Sequence, residues 1–151
     1  MPGIDECLLE VMAVPGARGA ALVDWSSGLA LGTIGDSPVG DHETTAAETA
    51  ELARAAAEYE SFSAIGVPPP VLSGRHSARP APPELPPGPP DGEPPVEDVI
   101  VTTRTGYHVL RFVETSFDSS VFIHLWLDRS SGNLALARIR LRDLAGRLVL
   151  G

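Results

Sequence analysis

The chain of 151 residues has no lysine; all eleven of its basic residues are arginines. Together with the load of Ala, Gly and Pro, this points to the codon usage of a high-GC bacterial genome. Cysteine is nearly absent. Cys7 stands alone, which excludes an internal disulfide and a thiolate metal site. Positive charge is scarce: the formal net charge is −9 and the isoelectric point about 4.8. No basic field is available for phosphate backbones, so nucleic-acid binding is not expected. No apolar run approaches the ~20 residues that cross a bilayer, so no membrane insertion is expected. The opening MPGIDECLLE is acidic and helix-patterned, unlike a signal peptide. A cytoplasmic location is the expectation.

Catalytic signatures are lacking too. No G-x-S-x-G elbow surrounds Ser26, Ser27, Ser130 or Ser131, and the Gly-rich stretches read as hairpin turns rather than a phosphate loop. His42, His76, His108 and His124 are scattered and read as structural or solvated. Cys7 falls on the apolar face of a helix and reads as core. Glu97 and Asp98 precede a strand and read as solvated. No catalytic residue, cofactor-binding residue or metal ligand is expected, and the chain reads as non-enzymatic.

Proline, by contrast, is abundant and concentrated. Twelve of the fifteen prolines lie in Val67–Val96, VPPPVLSGRHSARPAPPELPPGPPDGEPPV. Proline lacks a backbone N–H and fixes φ, so neither helix nor central strand persists there. Few aromatic or β-branched residues are available to bury, and the run is expected to stay extended and disordered. It contains PxxP patterns, such as Pro80-Ala81-Pro82-Pro83, that fit a proline-reading module. A plain insertion is the simpler reading, because lengthening a loop to about 30 residues costs only ~2 kcal/mol of closure entropy. The expected organisation is one domain in two parts, residues 1–66 and 97–151, around a disordered insertion at 67–96.

The flanking sequence is well patterned. Ile4, Cys7, Leu8, Val11 and Met12 recur at helical spacing over residues 3–14, and Pro15-Gly16 stops the helix. Two short apolar runs, 17–25 and 28–34, flank Asp24–Gly28 as a hairpin. Residues 41–65, rich in Ala, Glu and Leu behind Asp41 as N-cap, predict a long middle helix of ~35 Å. Beyond the proline run, EDVIVTTRTGYHVLRFVE predicts a hairpin turning at Gly106, and Thr115–Ser120 a polar break. Val121–Leu127 is apolar on both faces and predicts a central strand. Alternation over Arg138–Arg142 suits a strand, but Leu134, Ala137, Leu141, Leu144 and Leu148 favour a last helix capped by Asn133. The order α-β-β-α-β-β-β-α predicts an α+β fold, a five-stranded antiparallel sheet sandwiched between helices.

The middle helix carries the most specific surface pattern. Ala46, Ala50, Ala53 and Ala57 form a small-residue stripe suited to close packing on a sheet or on a sister helix. Leu52, Ala56 and Tyr59 lie to one side. Glu48, Glu51 and Glu58 cluster away from it, with Phe62 among them, as an acidic patch. Asp41, Glu43, Glu48, Glu51, Glu58 and Glu60 against Arg54 leave this helix at −5, while the last helix holds +3. Opposed fields of this kind steer partners, or are simply two solvated faces.

Three stretches together resemble the Roadblock/dynein light chain family. The first is Val14-Pro15-Gly16-Ala17-Arg18-Gly19-Ala20-Ala21-Leu22-Val23-Asp24, followed by Ser27-Gly28-Leu29-Ala30. The second is the Ala-rich helix from near Glu43. The third is Gly132-Asn133-Leu134-Ala135-Leu136-Ala137-Arg138. The resemblance implies the profilin-like, Roadblock-type sandwich, with the middle helix on one face of the sheet and the terminal helices on the other. It also implies a homodimer through the middle helix and third strand, and a Ras-like small GTPase as partner. On that basis the interface residues are Ala46, Ala50, Ala53, Arg54, Ala57, Val99 and Val101. The expected function is protein–protein interaction: a dimeric regulator or scaffold that modulates the nucleotide state of a GTPase. The alternatives are a small-molecule sensor domain, which the closely packing Ala-rich helix disfavours, or a general adaptor.

Overall fold

The computed structural model describes residues 3–62, 96–113 and 120–148. The proline-rich run, apart from Val96, and residues 115–119 of the polar break lie outside the described residues. Helix α1 (Ile4–Met12) leads into strands β1 (Ala17–Asp24) and β2 (Leu29–Gly35), then helix α2 (His42–Glu58). Strands β3 (Asp98–Thr102), β4 (Gly106–Val113) and β5 (Val121–Asp128) precede helix α3 (Leu134–Arg147). All strands pair antiparallel in one five-stranded sheet of order β2-β1-β5-β4-β3. Strands from both sides of the proline-rich run therefore join one sheet, with β5 at its centre and β2 and β3 at its edges.

The sheet has two unlike faces. On one, α1 and α3 cover Ala20 and Leu22 of β1, Val109 and Val113 of β4, and the odd-numbered residues Val121–Leu127 of β5. Leu8, Val11, Leu141 and Leu144 fill this layer from the helices. On the other, α2 lays Ala46, Ala50 and Ala53 on Ala21, Val23, Leu110, Phe112 and Phe122. Strand β5 is buried on both sides, as its unbroken apolar run requires.

The helix boundaries follow local chemistry. The Asp41 carboxylate accepts from the Glu43 N–H at 3.1 Å and from the Thr44 hydroxyl at 2.7 Å, fixing the start of α2. Asn133 Oδ1 accepts from the Leu136 N–H at 3.0 Å and starts α3. Helix α2 ends earlier than its composition predicts. Glu58 is its last residue, Tyr59 turns extended (φ −70°, ψ 131°), and Glu60–Phe62 form a short 3-10 turn. At 17 residues it spans ~26 Å, not ~35 Å. The alanine run that favours helix gives way there to Tyr59-Glu60-Ser61-Phe62, which favours it less.

Two of the stretches behind the family resemblance meet in space. Gly16 has φ +84°, and a Cβ there would overlap the backbone of Gly132. The Asp128 N–H donates to the Gly16 carbonyl at 2.8 Å, and the Gly132 N–H to the Asp128 carbonyl at 2.8 Å. The Pro-Gly turn and the Gly-Asn start of the last helix are thus two halves of one tight contact, where only glycine fits.

Candidate interaction surface

The alanine stripe points inward. Ala46, Ala50 and Ala53 are at most 1% exposed, all against the chain's own sheet. Ala57 is half-buried on the same layer. Of the two surfaces that small residues suit, this stripe meets the sheet, and its side chains are covered within a single chain. The physical reason is the sheet: β1 and β5 offer Ala21, Val23 and Phe122, and only short side chains let the helix settle onto them.

Arg54 is also engaged within the chain. Its guanidinium donates to the Trp25 carbonyl at 3.0 Å, tying the helix to the end of β1. Glu48, Glu51 and Glu58 are exposed, as an acidic patch requires. Val99 and Val101 are half-buried on edge strand β3.

What α2 offers outward is its flank. Leu52, Tyr59 and Phe62 are 40%, 60% and 52% exposed. With Ala56 they meet Val96 and Val99 across an open apolar groove of about 390 Å³. The groove runs beside β3, which has no second partner strand among the described residues, so an edge strand and exposed apolar side chains lie side by side. The Ala-rich helix closes down over β1 and β2 but leaves this space near β3. Its volume exceeds the ~300 Å³ that a small ligand needs. Leu52 and Tyr59 were visible as one flank of the helix from their spacing. Their meeting with Val96 and Val99 was not, because the two segments are separated by the proline-rich run.

The same sheet face carries a polar strip. His108 Nδ1 and His124 Nε2 are 3.0 Å apart. Their ring centroids are 5.2 Å apart at an interplanar angle of 12°, so the rings meet edge to edge in nearly one plane. One nitrogen donates and the other accepts. Trp126 stands opposite His108 in the β4–β5 register, and Arg18 lies 4.5 Å above the Trp126 ring. His124 is buried, and burial, aided by the nearby His108 and His42, pushes its pKa down to about 3. Burial also lowers that of His108. The two histidines thus form a neutral, mutually bonded pair. Neither alone carried a signal for this, because the pairing depends on strand register.

Other residues take simpler places. His42 Nε2 lies 3.0 Å from the Gly35 carbonyl. Cys7 is core, and burial pushes its thiol up to about 11. Asp98 corrects its sequence reading. It opens β3, and its largely buried carboxylate accepts from Arg138 Nε at 2.9 Å rather than being solvated. Among the described residues, no three His, Cys, Asp or Glu side chains are grouped to hold a metal ion, and no helix is long and apolar enough to cross a membrane.

No protein-family model matches the chain, and no curated protein matches it. Solved structures do. MglB of Myxococcus xanthus aligns with a TM-score of 0.61 at 16% identity, over 94% of this chain and 88% of that one. A Roadblock/LC7 domain from Streptomyces avermitilis aligns with a TM-score of 0.57 at 17% identity, over 97% of this chain and 94% of that one. At such identities the likeness is one of fold. The fold is that of the Roadblock/LC7 domain, as the sequence resemblance implied.

Proposed function

We propose that this chain, with its Roadblock/LC7 fold, is a non-enzymatic regulator that binds a Ras-like small GTPase as a homodimer and modulates its nucleotide state. The observation that carries the proposal is the coincidence of an apolar groove with the edge strand β3, which has no second partner strand among the described residues. Leu52 of α2, with Tyr59 and Phe62 just beyond the helix end, lies beside Val99 of edge strand β3, which also carries Val101. A second copy presenting the same surface would pair its β3 with this one and bury both grooves, joining two sheets into one. Likeness to MglB supports the class of partner. Glu48, Glu51 and Glu58 flank the proposed dimer surface and supply a field for a basic patch on the GTPase. Arg54 is held by the Trp25 carbonyl, so no arginine of α2 serves as an inserted finger.

The test has two arms. Light scattering on the purified chain is expected to give a dimer mass, and Tyr59→Ser with Val99→Glu a monomer. A Ras-like GTPase from the same genome, immobilised with GTP or GDP, is expected to retain the dimer in one nucleotide state. A monomer at high concentration, or equal failure of every such GTPase, refutes the proposal. The groove itself favours one second reading, a sensor for an apolar small molecule. A thermal shift with metabolites that disappears in Leu52→Glu would support it over dimerisation.

A further inference from the structure

On the opposite face of the sheet, three arginines converge on one pocket. Arg111 reaches out from β4, and Arg138 and Arg142 descend from successive turns of α3. The pocket has a volume of about 260 Å³. Asp98 occupies Arg138 at 2.9 Å. Arg111 is poorly satisfied. Its nearest acid, Glu97, is 3.9 Å away with a side chain 77% exposed, and its buried Nε–H has no acceptor. Arg142 makes no hydrogen bond or ion pair among the described residues. Leaving the buried Arg111 Nε–H without an acceptor is costly, whereas the exposed Arg142 keeps its five donors open to solvent or a ligand. The rest of the wall is apolar, from Ala135 and the exposed Ile139.

We infer that this pocket between α3 and the β3–β4 hairpin binds a small monocarboxylate with an apolar body. Two guanidiniums, on Arg111 and Arg142, offer paired N–H groups to a carboxylate. Three arginines against Glu97 and Asp98 leave a local charge of +1. One negative charge neutralises it, whereas a dianion would bring surplus charge beside Asp98. Ala135 and Ile139 then receive the hydrocarbon part. This site lies across the sheet from the α2–β3 groove and does not depend on the GTPase reading.

The test is a titration of the full-length, nitrogen-15-labelled chain with 4-methylpentanoate, acetate and inorganic phosphate, followed by NMR. With 4-methylpentanoate, saturable shifts are expected at the Arg111 side-chain Nε–Hε and at the amides of Ala135–Arg142. Acetate, lacking the apolar body, is expected to bind about fivefold more weakly. Arg142→Gln changes an exposed position and leaves the fold intact; it is expected to weaken 4-methylpentanoate about tenfold. Absence of saturable shifts up to about 20 mM, which marks affinities too weak for a site, overturns the inference. So does phosphate binding as tightly as 4-methylpentanoate, or unchanged affinity in Arg142→Gln.

Discussion

The two faces of the sheet are packed by different rules. The face under α1 and α3 is filled by branched and long aliphatic side chains, among them Leu8, Val11, Ile123, Leu125 and Leu141, all nearly or fully buried. The face under α2 meets a single helix whose inward residues are mostly alanine. Large side chains hold two helices off the sheet and seal the layer between them. Small ones bring one helix close, which covers β1 and β2 and leaves the β3 side open. The first face therefore reads mainly as stability, with the arginine pocket confined to its margin between α3 and the β3–β4 hairpin. The second carries stability and also an exposed apolar flank, which lies beside edge strand β3, and a histidine pair. Close packing at one end of a helix and an unfilled groove at the other are consequences of the same choice of residue.

The sealed face is the one whose disruption costs most. Leu141 is fully buried there, and Leu141→Ala is expected to lose about 2–5 kcal/mol through the cavity it leaves, measured by urea unfolding. On the alanine face, where there is nothing large to remove, the damaging change is the reverse. Ala53→Leu is expected to cost about 1–3 kcal/mol by overpacking. Equal tolerance of both variants would erase the distinction between the faces.

Acid probes the histidine pair, which only the α2 face contains. His124 has a folded pKa near 3, against an ordinary value of 6.5. As pH falls below 6.5 the unfolded chain takes up a proton that the folded chain refuses. The stability contributed by the neutral imidazole is complete above pH 6.5 and declines as pH falls towards 3. Between pH 7 and pH 5 the expected loss is about 2 kcal/mol. His124→Phe is expected to flatten that dependence; an unchanged slope in the variant would assign the loss elsewhere.

The smallest expected effect on stability falls on the open flank. Tyr59→Ser and Phe62→Ser alter exposed side chains and are expected to shift the unfolding free energy of the monomer by no more than about 0.5 kcal/mol. Their effect belongs in the mass measured by light scattering. A large loss of monomer stability would mean that the flank serves the fold rather than association.

Much of the scaffold was legible from the residues. Val121–Leu127 announces a two-sided strand because nothing in it is suited to water. Asp41 and Asn133 announce helix starts because their side chains cap free N–H groups within two or three residues. Asp98 was misread because its partner, Arg138, lies 40 residues away on another element. The end of α2 was misplaced because the change in composition after Ala57 is gradual. The histidine pair was invisible because the β4–β5 register is set by packing across the whole sheet, not by the histidines.

The sequence by itself determined the elements, their order and the residues able to face a core, because hydrophobic period, capping and turn chemistry act within a few residues along the chain. Only the tertiary structure decided which way the alanine stripe turns, that Gly16 seats against Gly132, and that Leu52, Tyr59 and Phe62 share a groove with Val99. Those outcomes depend on the relative placement of elements far apart in sequence, and close packing and strand register are satisfied only for the sheet as a whole.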